Sequence, residues 1–236
     1  MIDYQLIRSA RRKTLGLQVK QGEIIVRAPV FLSDEQINGF IHQKSDWLKS
    51  KLEQQKTHPV SQPFSFTQGS FIWINGERKK LNITFQAIAQ VLDLKDEIRV
   101  VLPLKSRHHH NKLSSEELTK QRVKKQLECW FKLQASKYIS NRLPKFSLQT
   151  NLVPKSFKIR QYKARWGSCN SRDELSFNYL LMMAPYWVVD YVIIHELCHL
   201  RHLNHSKDFW QLVAHHNPEF KQAKVWLKKH QRELVW

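Results

Sequence analysis

Glycine is scarce in this chain, with six residues in 236. No G-x-G-x-x-G or Walker-type loop occurs, which excludes a nucleotide site built on a glycine-rich phosphate loop. Cysteine is scarcer still: Cys129, Cys169 and Cys198 are odd in number and far apart. Without a C-x-x-C pair, neither a disulfide framework nor a cysteine zinc knuckle is indicated, and a reducing cytoplasm is the expected location. Long hydrophobic runs are missing too. The opening MIDYQLIRSARRK lacks the apolar core of a signal peptide. The most apolar stretch, Leu180 to Cys198, is interrupted by Pro185, Asp190, His195 and Glu196, so no membrane partner is expected. Acidic residues are the last deficit, 20 against 39 Lys and Arg, which leaves a net charge of +19. A surface so positive attracts polyanions. Nucleic acid, ribosomes or acidic proteins are therefore candidate partners, although no nucleic-acid recognition motif accompanies the charge.

The length suffices for one large domain or two small ones without disulfide staples. Hydrophobic periodicity predicts an α+β fold, with a β-rich region over 1–112 and a second region over 113–236 in which strands feed helices. Residues 4–28 alternate as strands, with a turn at Gln21-Gly22 and an end at Pro29. One helix is predicted from Ser33 to Leu52, followed by a polar linker over 53–64 with Pro59 and Pro63. Further strands are expected at Ser70–Ile74, Lys80–Phe85 and Ile98–Leu102, with a hairpin turn at Asn75-Gly76. The polar break Lys105–Lys112 contains His108, His109 and His110; adjacent side chains cannot all face one ion, so it reads as a solvated loop. Ser114 and Glu117 form a capping box that opens a helix, which Pro144 is expected to close. Lys158–Arg165 and Leu175–Met182 are expected to pair across the bend at 167–170, giving an antiparallel sheet. Pro185 then opens a helix. Ser206 caps another, and Pro218-Glu219 starts the last, which ends near His230.

The chemistry concentrates in HELCHLRHLNHS, residues 195–206. On a helix His195 and His199 differ by about 40° in direction and about 6 Å in rise, so both imidazoles can reach one ion. Glu196 is rotated by about 100° from His195 and can reach a metal-bound water without binding the metal. This H-E-x-x-H arrangement suits zinc with a general base: the ion lowers the pKa of its water and the carboxylate takes the proton. A catalytic zinc needs a third protein ligand. His202 lies about 10 Å along the helix from His195, too far to share its ion. His205 follows Asn204, which tolerates a left-handed turn that would fold His205 back toward the metal. Its spacing from His199 matches the elongated metzincin pattern, which has glycine where His202 stands. His205 is therefore the expected third ligand, with Glu219 as the alternative. Asp208 can be read as an orienting partner of a ligand or as a carboxylate at a helix N-terminus.

These blocks resemble the YgjP-like metallopeptidase family, itself related to the SprT-like and WLM metallopeptidases. The resemblance rests on KARWGSC (163–169), LSFNYLLMMAP (175–185), DYVIIHELCHLRHLNHSKDFW (190–210) and WLKK (226–229). RRKTLGLQV (11–19), the RAP at 27–29 and the helix with Trp47 fit as well, so it spans about 5–234. It implies a zincin-type fold with an active-site helix, a zinc cofactor held by His195, His199 and His205, and catalysis by Glu196. Related zincins act on protein substrates near DNA. In zincins an edge strand over the cleft pairs with extended substrate, and Lys158–Arg165 is the candidate strand. Arg165, Lys163 or Tyr162 could stabilise the oxyanion. The plainer reading makes Trp166 core, Gly167 a turn residue and the cations solvated. Cys169 and Cys198 read as inert buried thiols.

Two classes of function remain open. One is a zinc peptidase acting on peptide or protein, or a related hydrolase of small amides. The other is a nucleic-acid- or ribosome-associated module with a structural zinc. Glu196 discriminates between them, because a closed structural site gains nothing from a glutamate beside its first ligand.

Overall fold

A computed structural model describes residues 3–20, 22–57, 64–104 and 114–236. The His108–His110 loop and residues 58–63 of the expected 53–64 linker lie outside the described residues, while 53–57 are helical rather than linker. Compactness divides the chain into residues 1–62 and 63–236.

In the first unit, β1 (Gln5–Ser9), β2 (Gly16–Lys20) and β3 (Glu23–Pro29) form a sheet in the order β1-β3-β2. The β2–β3 turn uses Gly22 at φ 83°, a left-handed conformation that glycine adopts without strain. Ser33 caps α1 (Asp34–Gln43) through a reciprocal pair with Gln36. Where one helix was expected to Leu52, the chain breaks at Lys44 and restarts as α2 (Ser45–Thr57). The Lys44 N–H is shared among the carbonyls of Phe40, Ile41 and His42, which ends the first helix there. Ile24, Val26 and Ala28 of β3 pack with Ile37, Ile41 and Leu48 as a core of their own.

The second unit starts with β4 (Phe71–Ile74), β5 (Glu77–Gln86), β6 (Gln90–Asp93) and β7 (Glu97–Pro103), in the order β4-β5-β7-β6. The Asn75-Gly76 hairpin turn is as expected, both residues at positive φ. Strand β6, QVLD, escapes a periodicity reading because it is short and sits on an edge. Ile72, Ile74, Leu81, Ile98, Val100 and Leu102 share one core with the helices that follow.

Helix α3 (Ser115–Thr150) starts at Ser114, whose hydroxyl accepts from the Glu117 N–H. It runs through Pro144 and ends at Asn151, which is left-handed at φ 54°. An internal proline costs about 3 kcal/mol. Burial of Leu143, Phe146, Ser147 and Thr150 on the turns around it offsets that cost, and the helix continues where it was expected to close.

Three strands follow: β8 (Ser156–Arg160), β9 (Gly167–Cys169) and β10 (Glu174–Asn178), in the order β8-β10-β9. The expected antiparallel pairing of 158–165 with 175–182 is corrected here. Strand β8 stops at Arg160 and runs parallel to β10, while β9 pairs antiparallel on the other edge. Asn178 pins the crossing segment by donating to the carbonyls of Tyr162 and Arg165. After a 3-10 turn (Tyr179–Met183) come α4 (Tyr186–Cys198), α5 (Lys207–His216) and α6 (Phe220–His230). Pro185 is the N-cap of α4, one place before the position expected of it. No described helix is long and apolar enough to cross a membrane. The described residues form a mixed α+β fold of several small sheets and six α-helices.

Candidate metal centre

Helix α4, YWVVDYVIIHELC, is apolar almost all round, the signature of a helix surrounded by core. Val188, Val189, Val192, Ile193, Ile194 and Leu197 are buried. Its one acidic residue before the motif, Asp190, is clamped to α3. Arg142 reaches it with two nitrogens at 2.5 and 2.9 Å, and the Tyr138 hydroxyl donates at 2.9 Å. The helix is thereby fixed along its length before it reaches His195.

His195 lies on the last turn of α4 and His199 at its C-cap. The chain then turns back, with the Arg201 and His202 N–H groups both bonded to the Cys198 carbonyl. This return carries His205 to the site, with its Nε2 3.1 Å from Nε2 of His195, but it is made where α4 ends and not at Asn204, which lacks the left-handed conformation expected of it. The ligand atoms of His195, His199 and His205 all lie within 4.8 Å of one another. His199 donates from Nδ1 to the His202 carbonyl at 2.9 Å, which leaves Nε2 free to face the site. The Tyr191 hydroxyl stands 3.4 Å from Nδ1 of His195 and plays the corresponding part there. Phe209, at the start of α5, packs its ring against all three imidazoles. Trp210 stacks on His205.

The donor set fits a metal ion. Burial, reinforced by His199, His205 and Lys224, pushes His195 down to about 3, and burial also lowers His199. Both rings are thus neutral, the form that ligates. Two bonds of about 2.0–2.1 Å meeting at a tetrahedral ion set nitrogens about 3.3 Å apart, close to what the His195–His205 pair shows. His202 is not among the converging rings. Glu219 is exposed at the N-cap of α6, outside the cluster. Asp208 is exposed in the first turn of α5, as the helix-terminus reading had it.

Glu196 is 5% exposed, and its Oε2 has no hydrogen-bond partner among the described residues. Burial pushes its carboxyl up to about 8, against the opposing pull of the Arg165 charge. Glu196 and the three histidines line one cleft of about 410 Å³. The facing wall is Arg165 to Cys169. The strand edge at the cleft is therefore β9 and the residues just before it, which corrects the expectation for Lys158–Arg165. Of the three candidate oxyanion residues, Arg165 lines the cleft, whereas Lys163 and Tyr162 do not. Tyr162 bonds through its hydroxyl to Ser168 Oγ at 3.0 Å and lies under the Arg165 guanidinium. Burial pushes the thiols of Cys169 and Cys198 up to about 11 and about 12, which keeps both protonated at neutral pH.

Gly167 is not the turn residue expected of it but the first residue of β9. A Cβ there would lie 2.5 Å from Glu196 Oε1 and 2.6 Å from Cγ, so the carboxylate occupies the space a side chain would fill. The motif KARWGSC gave no hint that its glycine faces the glutamate of HELCH. Tyr191 could have been found, since it lies four residues before His195 and shares its helical face.

A family model described as YgjP-like, metallopeptidase domain, matches residues 13–230. Searches of curated proteins and of solved structures returned no significant match. The family implies a hydrolase with a metal ion and a peptide or protein substrate, and it gives the three converging histidines their context. The chain belongs to the YgjP-like metallopeptidase family.

Proposed function

We propose that this protein is a zinc metallopeptidase of zincin type, with His195, His199 and His205 as ligands and Glu196 as general base. The observation that carries the reading is the convergence of three imidazoles beside a buried carboxylate that has an unpartnered oxygen. Three imidazole nitrogen donors suit tetrahedral zinc better than the harder, oxygen-seeking cations. When bound, the ion supplies Lewis acidity, lowering the pKa of water and polarising a carbonyl.

The remaining steps belong to the chain's own side chains. Glu196 takes a proton from the attacking water on a carboxylate oxygen and passes it to the departing amine. Its raised affinity for a proton suits both halves of that task. Arg165, across the cleft, offers positive charge to the oxyanion that develops on the carbonyl. Tyr162 supports it by holding Ser168 and the Arg165 side chain. Strand β9 presents an edge along which extended substrate can pair. Residues 113–236 supply this apparatus, and β4–β7 complete its core. Three free cysteines fit a reducing cytoplasm.

A nucleic-acid- or ribosome-associated protein with a structural zinc is the alternative. Such a site needs a fourth ligand, and among the described residues three groups converge. The test is zinc content and peptide hydrolysis of the purified chain, beside Glu196→Gln. Metal retained with hydrolysis lost supports the reading; full activity in the variant rejects it.

A further inference from the structure

Trp166 and Leu227 belong to the walls of two hollows at once. One is the cleft described above; the other is a groove of about 500 Å³ along α6. Lys221, Lys224 and Lys228 line the groove, with Val225 and Leu227 between them. At spacings of three and four residues the lysines share one helical face, where like charges repel. The lining supplies no carboxylate to offset them, and in the adjoining cleft Glu196 is the one acidic residue among the described lining residues. Lys224 is directed inward: its ammonium sits 3.8 Å over the ring of Trp210, whose ring stacks on His205.

We propose that this groove is a substrate subsite that selects polypeptides carrying acidic residues to one side of the bond cleaved. The inference rests on the peptidase reading. The two hollows adjoin at Trp166 and Leu227, so a chain held at Glu196 enters the groove by passing over these two side chains. Trp166, Val225 and Leu227 give it an apolar floor, and the lysine ammonium groups give it a cationic rim. Self-repulsion along α6 is relieved when carboxylates enter. The volume takes a few side chains, well short of the footprint of a nucleic-acid duplex.

The experiment uses the zinc-loaded 236-residue chain in two arms. In the first, matched peptides bearing acidic, neutral or basic residues beside the scissile bond are compared by kcat/KM. The acidic series is expected to be preferred, chiefly through KM and more so at low salt. Lys221→Glu/Lys228→Glu is expected to reduce that preference about tenfold, since exposed ion pairs are each worth a few-fold, and to favour basic peptides instead. If charge reversal prevents folding, Lys221→Gln/Lys228→Gln carries the test with a loss of about threefold. In the second arm, binding of a fluorescent oligoglutamate to Glu196→Gln protein is followed by anisotropy, with oligoglutamine and oligo-dT as comparisons. This arm needs no hydrolysis. A chain that cuts no peptide yet binds oligoglutamate through these lysines removes the peptidase reading and leaves the acidic subsite standing. Equal cleavage of all series, equal binding of oligoglutamate and oligoglutamine, or lysine-dependent preference for oligo-dT each overturns the proposal.

Discussion

Gly167→Ala probes the closest approach in the site. The added methyl carbon would lie 2.5 Å from Oε1, 2.6 Å from Cγ and 2.8 Å from Cδ of Glu196. Carbon contacts are comfortable at about 3.5–4.0 Å, so roughly 1 Å must be surrendered. Strand β9 resists: Gly167 pairs with Phe177 of β10, and the neighbouring Trp166 carbonyl accepts the Asn178 N–H at 2.8 Å. The Glu196 side chain therefore moves, in a wall where it is 5% exposed. Overpacking of this kind costs about 1–3 kcal/mol of stability. A catalytic group displaced by about 1 Å costs on the order of a hundredfold in rate. The loss should appear in kcat with KM nearly unchanged, and zinc content should hold because no ligand is touched. Urea denaturation, metal analysis and steady-state kinetics measure the three quantities. Placing the same change in a Glu196→Ala background supplies the control, because the space it needs is then empty and the stability cost should vanish. Wild-type kcat in Gly167→Ala, or an equal stability loss in both backgrounds, would refute the steric argument.

Glu196→Gln should lower kcat by about a hundredfold or more while retaining zinc. In metal-free protein the same change should be stabilising at high pH. The folded carboxyl titrates near 8 against an ordinary value of 4.5, so its contribution is full below 4.5 and is lost as pH rises through 8. The gap between variant and wild type should therefore grow from pH 5 to pH 8, to about 4 kcal/mol at most, by urea melts in chelator; a gap independent of pH contradicts the burial argument. His205→Ala should weaken zinc binding by about two orders of magnitude, following the need for three ligands, in competition with a chelating dye; unchanged affinity would return Glu219 as third ligand. Tyr191→Phe removes the hydroxyl facing His195 Nδ1 and should weaken zinc binding by about tenfold. No change in the same dye competition would show that the hydroxyl does not orient the ring.

The sequence by itself determined what a few neighbouring residues decide. Ser33, Ser114 and Ser206 cap helices because their hydroxyls reach an N–H three places on. Asn75-Gly76 turns a hairpin because both positions accept positive φ. His195, Glu196 and His199 stood out because helical pitch alone brings i and i+4 together; the return that delivers His205 is made by the end of α4 at Cys198 and not by a left-handed Asn204. Tertiary structure decided the rest. Pro144 stays inside α3 because burial around it outweighs a local penalty. Strand β10 has β8 on one edge and β9 on the other, a choice made by packing segments well separated in the chain. That choice sets the empty side of Gly167 against Glu196, 29 positions apart in the sequence, and puts Arg165 rather than Lys163 in the cleft wall. Contacts of that range follow from how surfaces fit once they are buried, and no local periodicity encodes them.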